Sequence, residues 1–132
     1  MATTTATTPS VASIAEELVN LCRAGRNLEA VEKFYAPTVV SVEPVAMQNM
    51  PAEMSGIQAI REKHTWWEQN NEVHSVEVNG PFLGRDQFAV QYVWDTTFKP
   101  SGQRKKGTEM ALYTVKDGKI VREQFFYHMP GA

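Results

Sequence analysis

The sequence predicts an α+β fold, and three features of its patterning carry that prediction. Apolar stripes at helical spacing occupy the first half of the chain. Long β-branched and aromatic runs with alternating character occupy the second half. Strong turn signals separate those runs, so three helices come first and a meander of strands follows.

The helices come in order. Ile14, Leu18, Leu21 and Cys22 recur on one helix face, and Pro9 suits the first turn of that helix. Glu16 and Glu17 lie early, where the positive helix end favours acidic side chains. Ala24-Gly25 breaks the pattern. Leu28, Val31, Phe34 and Tyr35 form a second short stripe, stopped by Pro37, and so short a connection predicts a helical hairpin. Thr38 to Glu43 predicts a short strand ended by Pro44. Val45 to Met54 has no period and predicts a loop. Ser55 and Gln58 stand at capping-box spacing, each able to satisfy the other's free backbone N–H, and predict the start of a third helix. That helix carries Ile57, Ile60, His64 and Trp67 on one face and should end near Asn70-Asn71.

The strands follow. Val73 to Asn79 predicts a strand closed by the turn Asn79-Gly80-Pro81. Gln87 to Phe98 predicts a long strand with Phe88, Val90, Tyr92 and Trp94 on one face. Its other face carries Ala89, Gln91, Val93 and Asp95. Pro100-Ser101-Gly102 turns the chain, and Thr108 to Val115 returns. Asp117-Gly118 predicts a tight hairpin turn with both residues at positive φ, leading into Ile120 to His128.

Composition narrows the function classes. The 132 residues suit one domain, with 1–9 expected as a disordered tail and 10–132 as the folded unit. Thirteen basic and fifteen acidic residues give a formal charge of −2, which supplies no footprint for nucleic acid or an anionic membrane. The basic run Arg104-Lys105-Lys106 reads as a solvated hairpin tip. One cysteine, Cys22, excludes an internal disulfide and any cysteine-based zinc site. No apolar run approaches the roughly 20 residues of a membrane span. The opening Met1-Ala-Thr-Thr-Thr lacks the pattern of a signal peptide, so a cytoplasmic protein is expected. His74 and His128 are too scattered for a metal triad, and neither a phosphate loop nor a nucleophile elbow occurs. No metal and no cofactor are expected.

Four segments carry a resemblance. Phe34-Tyr-Ala-Pro-Thr-Val-Val-Ser-Val-Glu43-Pro44 resembles a helix-to-strand passage ending in an acidic residue and proline. Gly56-Ile-Gln-Ala-Ile-Arg-Glu62 resembles a helix start after a variable loop. Phe88-Ala-Val-Gln-Tyr-Val-Trp94 resembles a central strand, and Asp117-Gly-Lys-Ile120 a last hairpin. In this order, over about residues 11–128, the chain is similar to the SnoaL-like and ketosteroid isomerase-like family of the nuclear transport factor 2-like superfamily. The resemblance implies a cone-shaped α+β barrel, with three N-terminal helices packed in a strongly curved, mixed, mainly antiparallel sheet. It places Glu43 at the isomerase's general-base position, with Glu for the usual Asp, and His64 where some members have a Tyr. Leu18 stands where the isomerase has its oxyanion-binding Tyr. Ala111 falls near its protonated Asp, with Glu109 two residues earlier on the same face. Without those two donors the dienolate loses its main stabiliser, so true steroid isomerisation is not expected.

Two residues have competing readings. Glu43 is either a base desolvated in an apolar cone or an edge carboxylate facing solvent. His64 is either a satisfied core histidine or a proton shuttle oriented and charged by Glu43. By the resemblance, Phe88, Val90 and Tyr92 face inward with Glu109, Ala111 and Tyr113, and with Glu123, Phe125 and Tyr127. Leu18, Tyr35 and Trp67 complete that expected pocket, while Trp66 caps the mouth or an interface. An apolar pocket with a few convergent polar groups is the mark of a small-molecule site. The expected function is binding of a small hydrophobic, carbonyl-bearing molecule, with cofactor-free acid–base chemistry of the isomerase or cyclase kind. The alternative is a non-catalytic, homodimeric association module. Either way the apolar outer sheet face, with Met110 and Leu112, favours a homodimer.

Overall fold

Ser10 starts the ordered structure by accepting a hydrogen bond from the Ser13 amide at 3.1 Å, an N-cap for helix α1 (Val11–Arg23). The computed structural model describes residues 8–46 and 50–128. Pro9 therefore precedes the cap and does not occupy the first turn. Residues 1–7 of the expected tail, and 47–49 of the expected loop, lie outside the described residues. The α1 stripe is buried at Ile14, Leu18 and Cys22, and Gly25, at φ 74°, lets the chain leave the helix.

Helix α2 (Asn27–Phe34) packs against α1 as expected, but it stops before Pro37. Tyr35 is already extended and opens strand β1 (Tyr35–Val42). The expected loop contains a short strand, β2 (Glu53–Ser55), which pairs antiparallel with β1. Ser55 is consequently a strand residue opposite Val40, and the capping box does not form. Gly56 caps α3 (Ile57–Asn70) instead, at φ 93°, with its amide bonded to the Val39 carbonyl at 2.8 Å. A residue with a Cβ disfavours that conformation, so sheet pairing and one glycine override the local cap.

Four long strands finish the chain: β3 (Asn71–Leu83), β4 (Gln87–Phe98), β5 (Gln103–Lys116) and β6 (Lys119–Phe126). Strand β3 runs through Asn79-Gly80-Pro81, and a register shift between Asn79 and Phe82 absorbs those residues. The reversal falls later, where the Gly84 amide bonds the Gln87 carbonyl at 2.7 Å. Arg104, Lys105 and Lys106 belong to β5, where Arg104 grips Asp95 through bonds of 3.0 and 2.9 Å.

The six strands run in the order β2-β1-β6-β5-β4-β3, with β1 parallel to β6 and every other pair antiparallel. The sheet does not close. Strands β2 and β3 remain edges, so the expected barrel is an open cone wrapped on the helices. Helix α1 lies on β3 and β4, and the Arg23 guanidinium holds the Val78 carbonyl at 3.0 and 3.2 Å. Ile14, Leu18, Val31, Ile60, Phe88 and Val90 meet in the core with no more than 1% exposure. Each such side chain contributes about 1.5–3 kcal/mol on removal from water. Among the described residues no helix is long and apolar enough to cross a membrane.

Candidate functional site

Along β4 the inner face changes character. Phe88 and Val90 are sealed in the core, whereas Tyr92 and Trp94 border a pocket of about 1060 Å³. Pleat alternation on β5 and β6 brings Glu109, Tyr113, Glu123 and Phe125 to the same space. Helix α3 supplies Lys63, His64 and Trp67, and β1 supplies Tyr35, with Glu43 just beyond its end. Trp67 and Trp94 meet with ring centroids 5.0 Å apart, and Tyr92 stacks on Trp94 at 5.8 Å. The walls are thus largely aromatic.

Polar groups enter through two networks. In the first, Glu123 is wholly buried and accepts from the Tyr35 hydroxyl and, at 2.8 Å, from Ser41 Oγ. The Lys63 ammonium donates to Ser41 Oγ at 2.7 Å and to Glu43 Oε1 at 2.8 Å. Glu123 Oε2 lies 3.7 Å from it, and the Phe125 ring centroid 4.8 Å. In the second, Tyr92 and Tyr113 join their hydroxyls at 2.8 Å, with Cys22 Sγ 3.6 Å from Tyr92.

Electrostatics separates the pocket's acids. Burial, reinforced by the charge of Glu43, pushes the Glu109 carboxyl up to about 7. The phenols of Tyr35, Tyr92 and Tyr113 are pushed well above their ordinary range, chiefly by burial. Tyr127 is raised by partial burial and then by Glu43 beside it. Burial lifts the Cys22 thiol to about 11, so it is a small core group rather than a nucleophile. Among the described residues no three His, Cys, Asp or Glu side chains converge to hold a metal ion.

Of the residues expected at the pocket, Leu18, Tyr35, Trp67, Tyr92, Glu109, Tyr113, Glu123, Phe125 and Tyr127 border it, as do Glu43 and His64. Phe88, Val90 and Ala111 do not. They form closed core at 1%, 0% and 0% exposure, because alternation sets a side chain's face but not its depth under the helices. The expected Glu43–His64 partnership is replaced. Glu43 pairs with Lys63, and burial lowers the His64 pKa, outweighing the upward pull of Glu123 and the weaker one of Glu43. The sequence reading missed Lys63, Ser41 and Cys22 as polar groups of the site. A signal for Lys63 existed: it stands three residues after Ile60 and four before Trp67, on the apolar stripe.

Residues 9–127 match the sequence model of the SnoaL-like domain, and the chain belongs to that family. A solved structure from Mesorhizobium loti, provisionally described as a SnoaL-like polyketide cyclase, is similar at 41% identity and a TM-score of 0.84. The alignment covers 90% of this chain and 100% of that one. A protein of the same provisional description from Jannaschia sp. CCS1 shares the fold at 17% identity and a TM-score of 0.71. It covers 94% of this chain and 91% of the other. A ketosteroid isomerase-like protein from Catenulispora acidiphila, solved with trimethylamine, superposes at a TM-score of 0.69 and 19% identity. That match covers 93% of this chain and 88% of the other. Functionally curated proteins give no match by sequence.

Proposed function

We propose that the pocket binds a small hydrophobic, carbonyl-bearing molecule and moves a proton on it without a cofactor. The observation that carries this reading is the pairing of two carboxyl groups in unlike settings. Glu43 is in contact with an ammonium, whereas desolvation pushes the Glu109 carboxyl up to about 7. Two carboxyl groups in such unlike surroundings can divide into base and acid. Glu43 takes the proton from the carbon next to the carbonyl, and the C–H electron pair becomes an enolate. Neutral Glu109 hydrogen-bonds the developing oxygen charge, and Glu43 returns the proton at a second carbon or water replaces it. The aromatic walls hold the apolar body of the ligand. The relative from M. loti, described as a cyclase, is consistent with chemistry of this kind.

Deuterium exchange at the α-carbon of 1-tetralone in D2O, followed by proton NMR, tests the reading without the natural substrate. The protein should accelerate exchange, and Glu43→Gln should reduce the acceleration about 100-fold or more. Binding, read by quenching of the pocket tryptophans, should persist in Glu43→Gln. Exchange that proceeds equally well in Glu43→Gln removes Glu43 from the mechanism.

A separate feature favours assembly with a second copy. On the outer sheet face Phe82 stands opposite Ala89, Ala89 opposite Leu112, and Met110 opposite Phe126. Phe82 and Phe126 are 55% and 48% exposed, and these side chains form a patch over β3 to β6 in which Gln91 and Gln124 are also set. We read this face as a homodimer interface. Sedimentation should show a dimer for the native chain and a monomer for Met110→Lys/Phe126→Lys; a monomeric native chain would refute the interface.

A further inference from the structure

Lys63 is the cation that touches Glu43, while Lys105 and Lys106 of β5 also line the pocket. The surroundings of Lys63 define what it can do. An ammonium has three N–H donors. Two are spent on Ser41 at 2.7 Å and Glu43 at 2.8 Å, and the face toward β6 meets the Phe125 ring at 4.8 Å. Two of the three donors are thus held by the protein, and an amine so paired is not a free nucleophile. Lys63 is also anchored from behind. Ser41, which accepts from Lys63, donates in turn to the wholly buried Glu123, whose other oxygen receives the Tyr35 hydroxyl. The string runs one way: Lys63 can only donate, so Ser41 Oγ accepts from it and passes its own hydrogen on to Glu123.

We propose that Lys63 is a positioning residue: it clamps Oε1 of Glu43, so that Oε2 is aimed as the proton acceptor, and it balances the negative charge of the pocket's carboxyl groups. This rests on Glu43 being the base. The charged and titratable groups around the clamp come from every neighbouring element: Glu43 and Tyr35 from the β1 segment, His64 from α3, Glu109 from β5, Glu123 from β6 and Tyr127 beyond it. Lys63 stands against three carboxyl groups, and it opposes the upward push that burial and Glu43 exert on Glu109. A neutral side chain that only filled this space on α3 would exert no such pull on a carboxyl carried by β5.

The test uses the full chain and two readouts. Lys63→Met should move the Glu109 titration, followed by carboxyl carbon-13 NMR, upward from about 7 by about one pH unit. The alkaline limb of the 1-tetralone exchange profile, where neutral Glu109 is lost, should move upward in parallel, and Lys63→Arg should restore both. Ser41→Ala, a milder change that removes one anchor, should shift both in the same direction by less. If Lys63→Met and Ser41→Ala fold and leave the Glu109 titration within about 0.2 unit of the native chain, the proposal is overturned. Should Lys63→Met fail to fold, Ser41→Ala alone decides. Absence of any exchange in the native chain would count against Glu43 as base, whereas the NMR titration still reads Lys63.

Discussion

Tyr92 and Tyr113 hold their hydroxyl oxygens 2.8 Å apart across the β4–β5 pair, and each residue exposes only 3% of its surface. Both lie in the pocket wall and are almost wholly covered by protein. Removing one hydroxyl leaves the other with fewer partners in a buried setting, which costs about 1–2 kcal/mol. Tyr113→Phe should therefore lower the unfolding free energy by about that much in urea titrations. The double variant Tyr92→Phe/Tyr113→Phe should cost less than the two single changes added together, because it leaves neither hydroxyl stranded. Additive costs would show that the pair is not coupled.

Glu109 makes stability depend on pH in a defined direction. Its carboxyl rises from the ordinary 4.5 to about 7 on folding, so between those values the folded state binds more protons than the unfolded state. Stability then falls as pH rises from 4.5 to about 7 and levels off above it. Below 4.5 the group is neutral in both states and contributes no penalty. The full penalty above neutrality is at most about 3 kcal/mol, from the size of the shift. Glu109→Gln should hence stabilise the protein at pH 8 and change little at pH 4. Equal effects at both pH values would rule out a buried, titrating Glu109.

His64 works with the opposite sign. Burial lowers its pKa below 6.5, so beneath that value the unfolded state binds the extra proton. Stability from this group is complete above 6.5 and is lost as pH falls through the folded value. Proton NMR of the ring should place the His64 midpoint below 6.5, and His64→Phe should blunt the loss of stability on acidification. A midpoint above 6.5 would restore the charged imidazole that the sequence suggested.

The sequence made the strand register legible and left the site's partners hidden, for a physical reason. Strand β4 spans Gln87–Phe98 as the alternation implied, and Asp117 and Gly118 adopt φ of 52° and 73° as their turn type demands. These are local properties. Alternation also grouped Glu109 with Tyr113 and Glu123 with Phe125 on shared faces, and the family resemblance turned those faces inward. Depth was invisible, because it depends on where α1 seals the sheet, and so Phe88, Val90 and Ala111 were placed at the pocket. Partnership was invisible as well. Glu43 could be matched to either neighbour on α3, and the choice of Lys63 over His64 is made by Ser41 and Glu123, residues distant in sequence that meet only through the β1–β6 pairing. The Ser55–Gln58 cap failed because Ser55 was claimed by β2.

Gly118 links that legible turn to the site. Strands β5 and β6 pair outward from it, Lys116 with Lys119 and Val115 with Ile120, and a register shift between Val115 and Thr114 then brings Tyr113 opposite Glu123. The turn and that shift together set which residue of β6 stands across from the Tyr113 phenol. At φ 73° a side chain is disfavoured, and a Cβ would come 2.6 Å from Thr8 Cγ2 and 3.0 Å from Pro9 Cδ. The threonine methyl can rotate away, but the proline ring is stiffer, so the backbone leading into α1 has to shift. Gly118→Ala should cost about 1–2 kcal/mol for the left-handed conformation, with any steric cost added to it. Urea unfolding should show a lower midpoint at an unchanged slope. Asn at the same position tolerates this conformation better, so Gly118→Asn should lose less unless the clash dominates. A Gly118→Ala midpoint equal to that of the native chain would mean that the turn relaxes freely and does not hold the β5–β6 register.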